Sequence, residues 1–300
     1  MKPFALRTPA GTMFAALVLA AVMGSAAEAP PAMPPLELVK RAVDNEIKSA
    51  DQAAKYMFRE RKETPTGSQT RLMVETRDAI AAMVIAYNDR PLNQEQRRDE
   101  YGRIQRFLNE PDELDRKRRK EKEDSARVQS ILKALPDAFL YEYAGTEAGS
   151  AGLGGPADEL LRLKFRPNPK YDPPTRVEQV LTGMQGVVLI DAQNHHIARI
   201  DGTLFKDVAF GWGIFGRLDR GGHFVVDQTD VGSNNWAISR MDLAFTGKIL
   251  LFKNLNIKSA EIYSDFHPVP SNLSFAQGVE LLKKQLAMVA ENQPRAGREK

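Results

Sequence analysis

The chain has 300 residues, 42% of them hydrophobic and 27% charged, with a formal net charge of +3. So small a net charge gives the whole chain no strong pull toward nucleic acid or an anionic membrane. Cysteine is absent, which excludes disulfides, a thiol nucleophile and the acylated cysteine of a lipoprotein signal.

The N-terminus reads as an export signal. Lys2 and Arg7 open it, Met13 to Met23 is an uncharged apolar run, and Ser25, Ala26 and Ala27 supply small residues before Glu28. The expectation is a cleaved signal peptide over 1–27, with Ala27-Glu28-Ala29 as the other cleavage site. The exported chain would be periplasmic. No transmembrane span is expected in it, because the apolar run falls short of the ~20 residues a spanning helix needs. Residues 28–35 are a proline-rich linker and 292–300 a loose polar tail, leaving a single domain over 36–291.

Leu36, Val39, Val43 and Ile47 recur at helical spacing, predicting a first amphipathic helix from about Pro35 to Ala54. Three antiparallel strands follow as a meander: Tyr56 to Arg61, a run around Leu72 and Val74, and Ala79 to Tyr87, whose alanines suit a helix as well. From Asn93 to about Leu135 the pattern is helical. Asp112 to Asp124 within it is almost wholly charged with interleaved signs, as in a solvated helical face.

Strands resume near Asp137, a glycine-rich loop spans Gly145 to Gly155, and Leu161, Leu163 and Phe165 alternate with basic residues in a half-buried strand. Thr175 to Glu178 has the form of a capping box, opening a short helix with Val177, Val180, Leu181 and Met184 on one face. About six strands follow between Gly186 and Phe266, with Thr246-Gly247-Lys248 as a tight hairpin connection. The apolar face of Trp236 to Phe245 changes phase part-way, which predicts a bulge. Ser274 to Gln277 is a second capping box and opens a last helix. The whole is an α+β chain, with a curved antiparallel sheet of about nine to eleven strands.

Chemistry-bearing motifs fail their structural tests. Gly211 to Gly216 matches G-x-G-x-x-G, but another strand follows where a dinucleotide site needs a helix. His195 and His196 are adjacent and point to opposite sides of an extended chain, so they share a metal poorly, and His223 and His267 are isolated. No serine sits in a nucleophile elbow. Asp227 and Asp230 read as turn and strand aspartates. The expectation is a protein that is not an enzyme and needs no cofactor or metal.

Met184 to Asp191 followed by His196 to Ile200 forms a hairpin of alternating apolar residues ending in aspartate. That hairpin, with the order helix, meander, helical insertion, strands, short helix and strands, resembles the LolA/LolB-like half-barrel superfamily of envelope lipoprotein and lipid carriers. The resemblance implies an incompletely closed sheet wrapped around short helices, with an acyl chain or a lipoprotein-like ligand in the gap. Val177, Val180, Leu181 and Met184 would then line a lid, with Trp212 and Phe215 at the mouth and Trp236 beside the groove. A second reading on the same fold is an envelope partner-binding or stress-sensing protein, with the 93–135 insertion as a docking arm.

Overall fold

The computed structural model describes residues 33–52, 54–156, 158–210, 216–249 and 253–292. The expected signal peptide, Trp212 and Phe215 lie outside the described residues. In chain order the elements are α1 (Pro35–Gln52), β1 (Lys55–Thr64), β2 (Gly67–Val74), β3 (Ala81–Tyr87), β4 (Arg90–Pro91), α2 (Gln94–Asn109), α3 (Pro111–Ala138), β5 (Phe139–Ala148) and β6 (Glu159–Pro167). Then come α4 (Arg176–Gln179) with a 3-10 turn (Val180–Gly183), β7 (Met184–Asp191), β8 (Ile197–Leu204), β9 (Val208–Phe210), β10 (Gly216–Leu218), β11 (His223–Asp230), β12 (Trp236–Ile249), β13 (Lys253–Val269) and α5 (Phe275–Asn292).

All thirteen described strands belong to one antiparallel sheet that does not close. Its order is β4-β3-β2-β1-β13-β12-β11-β8-β7-β6-β5, with β10 on β12 and β9 on β10. The excess over the expected nine to eleven comes from three pieces of two or three residues: β4, β9 and β10.

The helices cover opposite faces at the two ends of the sheet. α1 packs on β5, β7 and β8 through Leu38, Val39, Ala42 and Val43, in a core that includes Val188, Ile190 and Leu204. α5 packs on β2 and β3 through Phe275, Val279 and Leu282 against Leu72, Val74 and Met83. Pairing places Phe58, Glu60 and Lys62 on the α1 side of β1, and Met57, opposite Val74, on the α5 side. Gly278 allows the close approach of α5, since a Cβ there would sit 2.6 Å from Thr76 Cγ2.

The helical stretch expected over 93–135 is two helices. Asn93 and Gln96 form a reciprocal capping box at the start of α2. The break falls at Glu110, because Pro111 lacks an N–H and holds the preceding residue extended (φ −115°, ψ 92°). Most of the charged run is solvated and carries i,i+3 and i,i+4 ion pairs such as Glu113–Arg116 and Lys117–Glu121. Glu121 within the run and Glu100 and Arg103 of α2 do something else: they complete the edge of the sheet. Glu100 accepts from the Val84 N–H at 2.6 Å, Arg103 donates to the Ala82 carbonyl at 2.7 Å, and Glu121 accepts from the Ile80 N–H at 3.0 Å. From there α3 runs toward the other edge, where Leu135 and Ala138 enter the α1 core and the chain passes directly into β5.

Three other expectations change. The helix opened by Thr175 and Glu178 ends after one turn, and Met184 begins β7. The Gly145–Gly155 stretch is strand as far as Ala148, with an irregularity between Tyr143 and Thr146. Thr246-Gly247-Lys248 is not a turn, because β12 and β13 stay paired past it to Ile249–Lys253. Gly247 serves instead to let β10 approach, as a Cβ there would stand 2.1 Å from the Arg217 carbonyl oxygen. The predicted bulge in β12 is present. Asp227 pairs with Arg240 and Gln228 with Ile238, leaving Ser239 as the extra residue.

Glu100→Ala removes a charged acceptor from a buried N–H and releases Arg103. The expected loss is about 2–3 kcal/mol in urea unfolding, with self-association through the bared β3 edge visible by size-exclusion chromatography. Burial raises the carboxyl pKa of Glu75 above its ordinary value, against the Tyr56 N–H that donates to it at 2.9 Å. The folded state therefore holds this proton to higher pH than the unfolded chain does. Stability contributed by the site falls as pH rises from the ordinary carboxylate range through the raised pKa. Glu75→Gln keeps an acceptor, so it should raise stability at neutral pH and remove that part of the pH slope.

Candidate binding face

On the α1 side of the sheet, apolar side chains outnumber the helices available to cover them. Ladder pairing aligns Phe224 with Leu243, and Val226 with both Ile200 and Met241. Phe224 and Ile200 border the α1 core, so Val226, Met241, Leu243 and Phe245 share its face. All six are half-buried. They form a strip that leaves the edge of α1 and crosses β8, β11 and β12, away from the main helix packing on the sheet, which α1 makes on β5, β7 and β8 and α5 on β2 and β3.

Beneath α1 lies a small cavity of about 70 Å³, lined by Val39, Ala42, Leu135, Leu181, Met184 and Val188 among other apolar residues. That is under half of the ~150 Å³ that holds one benzene ring. With α1 in place the space under it does not admit an acyl chain. The strip outside it does not carry that restriction. A larger cleft of about 470 Å³ crosses β5 to β8 on the opposite face, between Glu142, Lys164, Arg166, Gln185 and Thr203. Its walls mix these polar and charged groups with Leu140 and Val187, and it lies on the opposite face from the strip.

Beyond the strip, toward β1, the face turns polar. Glu60 pairs with Arg71, and Glu261 with Lys62 at 2.6 Å, both carboxylates being almost fully buried. The Tyr263 hydroxyl donates to Glu261, and burial together with that carboxylate pushes the phenol pKa up, so it stays a donor. Tyr56, Phe58, Tyr263 and Phe266 pack edge-to-face or stacked around the network. Two cations and two anions balance here, and each charge has a partner.

The end of α1 is tied down by acceptors the sequence pattern did not single out. Glu46 accepts from the Ile197 N–H at 2.9 Å and from Gln228 at 3.3 Å, and contacts His196 Nδ1 at 3.1 Å. Asn45 donates to the carbonyls of Asn194 and His195. An acid and an amide flanking the apolar positions Val43 and Ile47 were the available signal.

Of the seven residues expected to line a groove, Val180, Leu181 and Met184 meet at the α1 core. Leu181 and Met184 line the cavity and Val180 packs beside that core. Val177 points outward, 38% exposed, because the one-turn helix presents only part of its apolar face to the sheet. Trp236 belongs to a separate cluster around Leu160, Leu189 and Ala198, its ring stacked on His196 with centroids 5.1 Å apart. Trp212 and Phe215 fall outside the described residues.

Among the acids, Asp227, which the sequence suggests is an exposed strand aspartate, is buried, because Arg199 donates two hydrogen bonds to it, at 2.6 and 2.9 Å. Asp230 accepts from the Gly232 N–H in a turn. Among the described residues no three His, Asp or Glu side chains converge as metal ligands. Gly216 opens a strand, so no helix N-terminus follows the glycine-rich motif.

The sequence matches no protein-family model, and a search of curated proteins returns no significant relative. Among the described residues no helix is long and apolar enough to cross a membrane.

Glu46→Ala strips acceptors from the Ile197 N–H and the Gln228 amide. It should cost about 2–3 kcal/mol and speed hydrogen exchange in α1 selectively, while exchange in α5 keeps its wild-type rate.

Proposed function

We propose that this is an exported envelope protein that binds an acyl chain or a similarly apolar ligand on the α1 side of its open sheet. The observation that carries the reading is the uncovered strip of Ile200, Phe224, Val226, Met241, Leu243 and Phe245, continuous with the α1 core. Such a ligand needs no polar motif, because each buried methylene contributes ~0.8 kcal/mol. A single fourteen-carbon chain partitions into apolar surroundings with roughly 10⁴ M⁻¹, which is binding that can be reversed, as a carrier requires.

The small cavity sets where the ligand lies. It rests along the strip, or it displaces α1 and occupies the core beneath. The proposed groove is therefore built from strand residues of β8, β11 and β12 more than from the short helix at Thr175. The charged insertion has a structural task in either case, since α2 and α3 supply Ile104 and Leu135 to the two cores. Deleting it would open both, so partner binding through it has to be probed by surface substitutions.

Native mass spectrometry of protein purified from the envelope without detergent tests the reading. The expected result is a lipid adduct, and uptake of a fluorescent fatty acid by the stripped protein. Leu243→Lys places a charge in the strip and should reduce that uptake at least tenfold with the fold retained in far-ultraviolet circular dichroism. A clean apo mass together with no uptake by the wild type would end the proposal.

A further inference from the structure

β12 and β13 are the longest strands, and they outrun their neighbours. β11 stays paired with β12 only to Ala244, and β1 with β13 only from Ala260 onward. Past those points β12 continues over 245–249 and β13 over 253–259, paired with each other and flanked on one side by β10 and β9. At ~3.4 Å per residue, five further residues of β12 reach about 17 Å beyond the last β11 pair. The result is a tongue projecting from one end of the sheet.

The tongue is two-faced. Register places Phe245, Lys253, Leu255 and Ile257 on the α1 side, with Ile257 40% exposed and Lys253 at its far end. Thr246, Lys248, Asn254, Asn256 and Lys258 take the other side. From Leu243 to Ala260 the sequence holds three lysines and no acid, a segregation that the near-neutral total averages away. Lys248, Lys253 and Lys258 have no ion-pair partner among the described residues, whereas Arg217, directly opposite Lys248, is balanced by Asp207 and Asp219. With no acid between Leu243 and Ala260, the charge of these three lysines is left for negative groups outside the chain to meet.

We propose that this tongue docks on an anionic lipid bilayer, its apolar side at the acyl boundary, with Lys253 at the end of that side and Lys248 and Lys258 on the polar side reaching the headgroups. A surface with an apolar side rimmed by cations suits that interface, where burial and attraction to anionic lipid add. An acidic protein would satisfy the lysines but not the apolar side beside them. The inference does not depend on a bound cargo.

Flotation of the purified protein with vesicles of equal parts phosphatidylcholine and phosphatidylglycerol tests it, beside vesicles of phosphatidylcholine alone. The wild type should bind the mixed vesicles, release at high salt, and ignore the neutral ones. Each cation near an anionic leaflet is worth about fivefold in binding, so Lys248→Gln/Lys253→Gln/Lys258→Gln should weaken it roughly a hundredfold. The charge-matched variant Lys133→Gln/Lys164→Gln/Lys284→Gln, spread over α3, β6 and α5, should bind as the wild type does. Equal losses in the two variants, equal binding to neutral vesicles, or no binding at all would overturn it. Native mass and fatty-acid uptake of the same preparation read the cargo proposal separately: docking by a protein that carries no lipid and takes none up leaves this inference standing and removes that one.

Discussion

A sheet that does not close leaves two rows of backbone groups without ladder partners and more apolar face than its own strands can cover. Both liabilities shape this protein. The β3 edge is completed by side chains of α2 and α3, with Glu100, Arg103 and Glu121 taking the place of a neighbouring strand. An unpaired buried N–H costs about as much as a lost hydrogen bond, so these three contacts explain why a charge-rich insertion lies against the sheet. The same α3 reaches the strands at the opposite edge, and the two ends of the sheet are thereby held in one arrangement.

Coverage of the faces is less complete. α1 and α5 take opposite faces at opposite ends, which suits a strongly twisted sheet and leaves the middle strands uncovered on the α1 side. Native surfaces tolerate scattered apolar residues, whereas a continuous strip running out of a core marks a place where something else binds. The polar network at Glu60, Arg71, Lys62 and Glu261 bounds that strip with charges that are already balanced. Cargo and membrane, as proposed, would meet neighbouring parts of one surface, since the tongue continues the strands that carry Met241, Leu243 and Phe245.

Much of the chain was legible because its signals are local. The span of α1, the capping boxes at Thr175 and Ser274, the meander and the β12 bulge all follow from spacing that neighbouring residues impose. The candidate site was far less legible. Val177, Val180, Leu181 and Met184 keep helical spacing, yet the helix stops after one turn and Met184 starts a strand, because a 3.6-residue pattern continues unbroken across that junction. Thr246-Gly247-Lys248 looks like a turn, and the ladder overrides it because Gly247 is needed against β10. Trp236 offers its bulk to whichever neighbour tertiary packing supplies, and the neighbour is His196.

Sequence alone determined the element types, the absence of thiol chemistry, the alternation that makes strands two-faced and the mixed charge of the insertion, since each depends on residues a few positions apart. Tertiary structure decided which face α1 covers, how little space remains under it, which carboxylates complete the β3 edge and how far β12 and β13 outrun β11 and β1. Those are relations between residues as distant in sequence as Lys55 and Val269, set by sheet order and register, and no local periodicity encodes them.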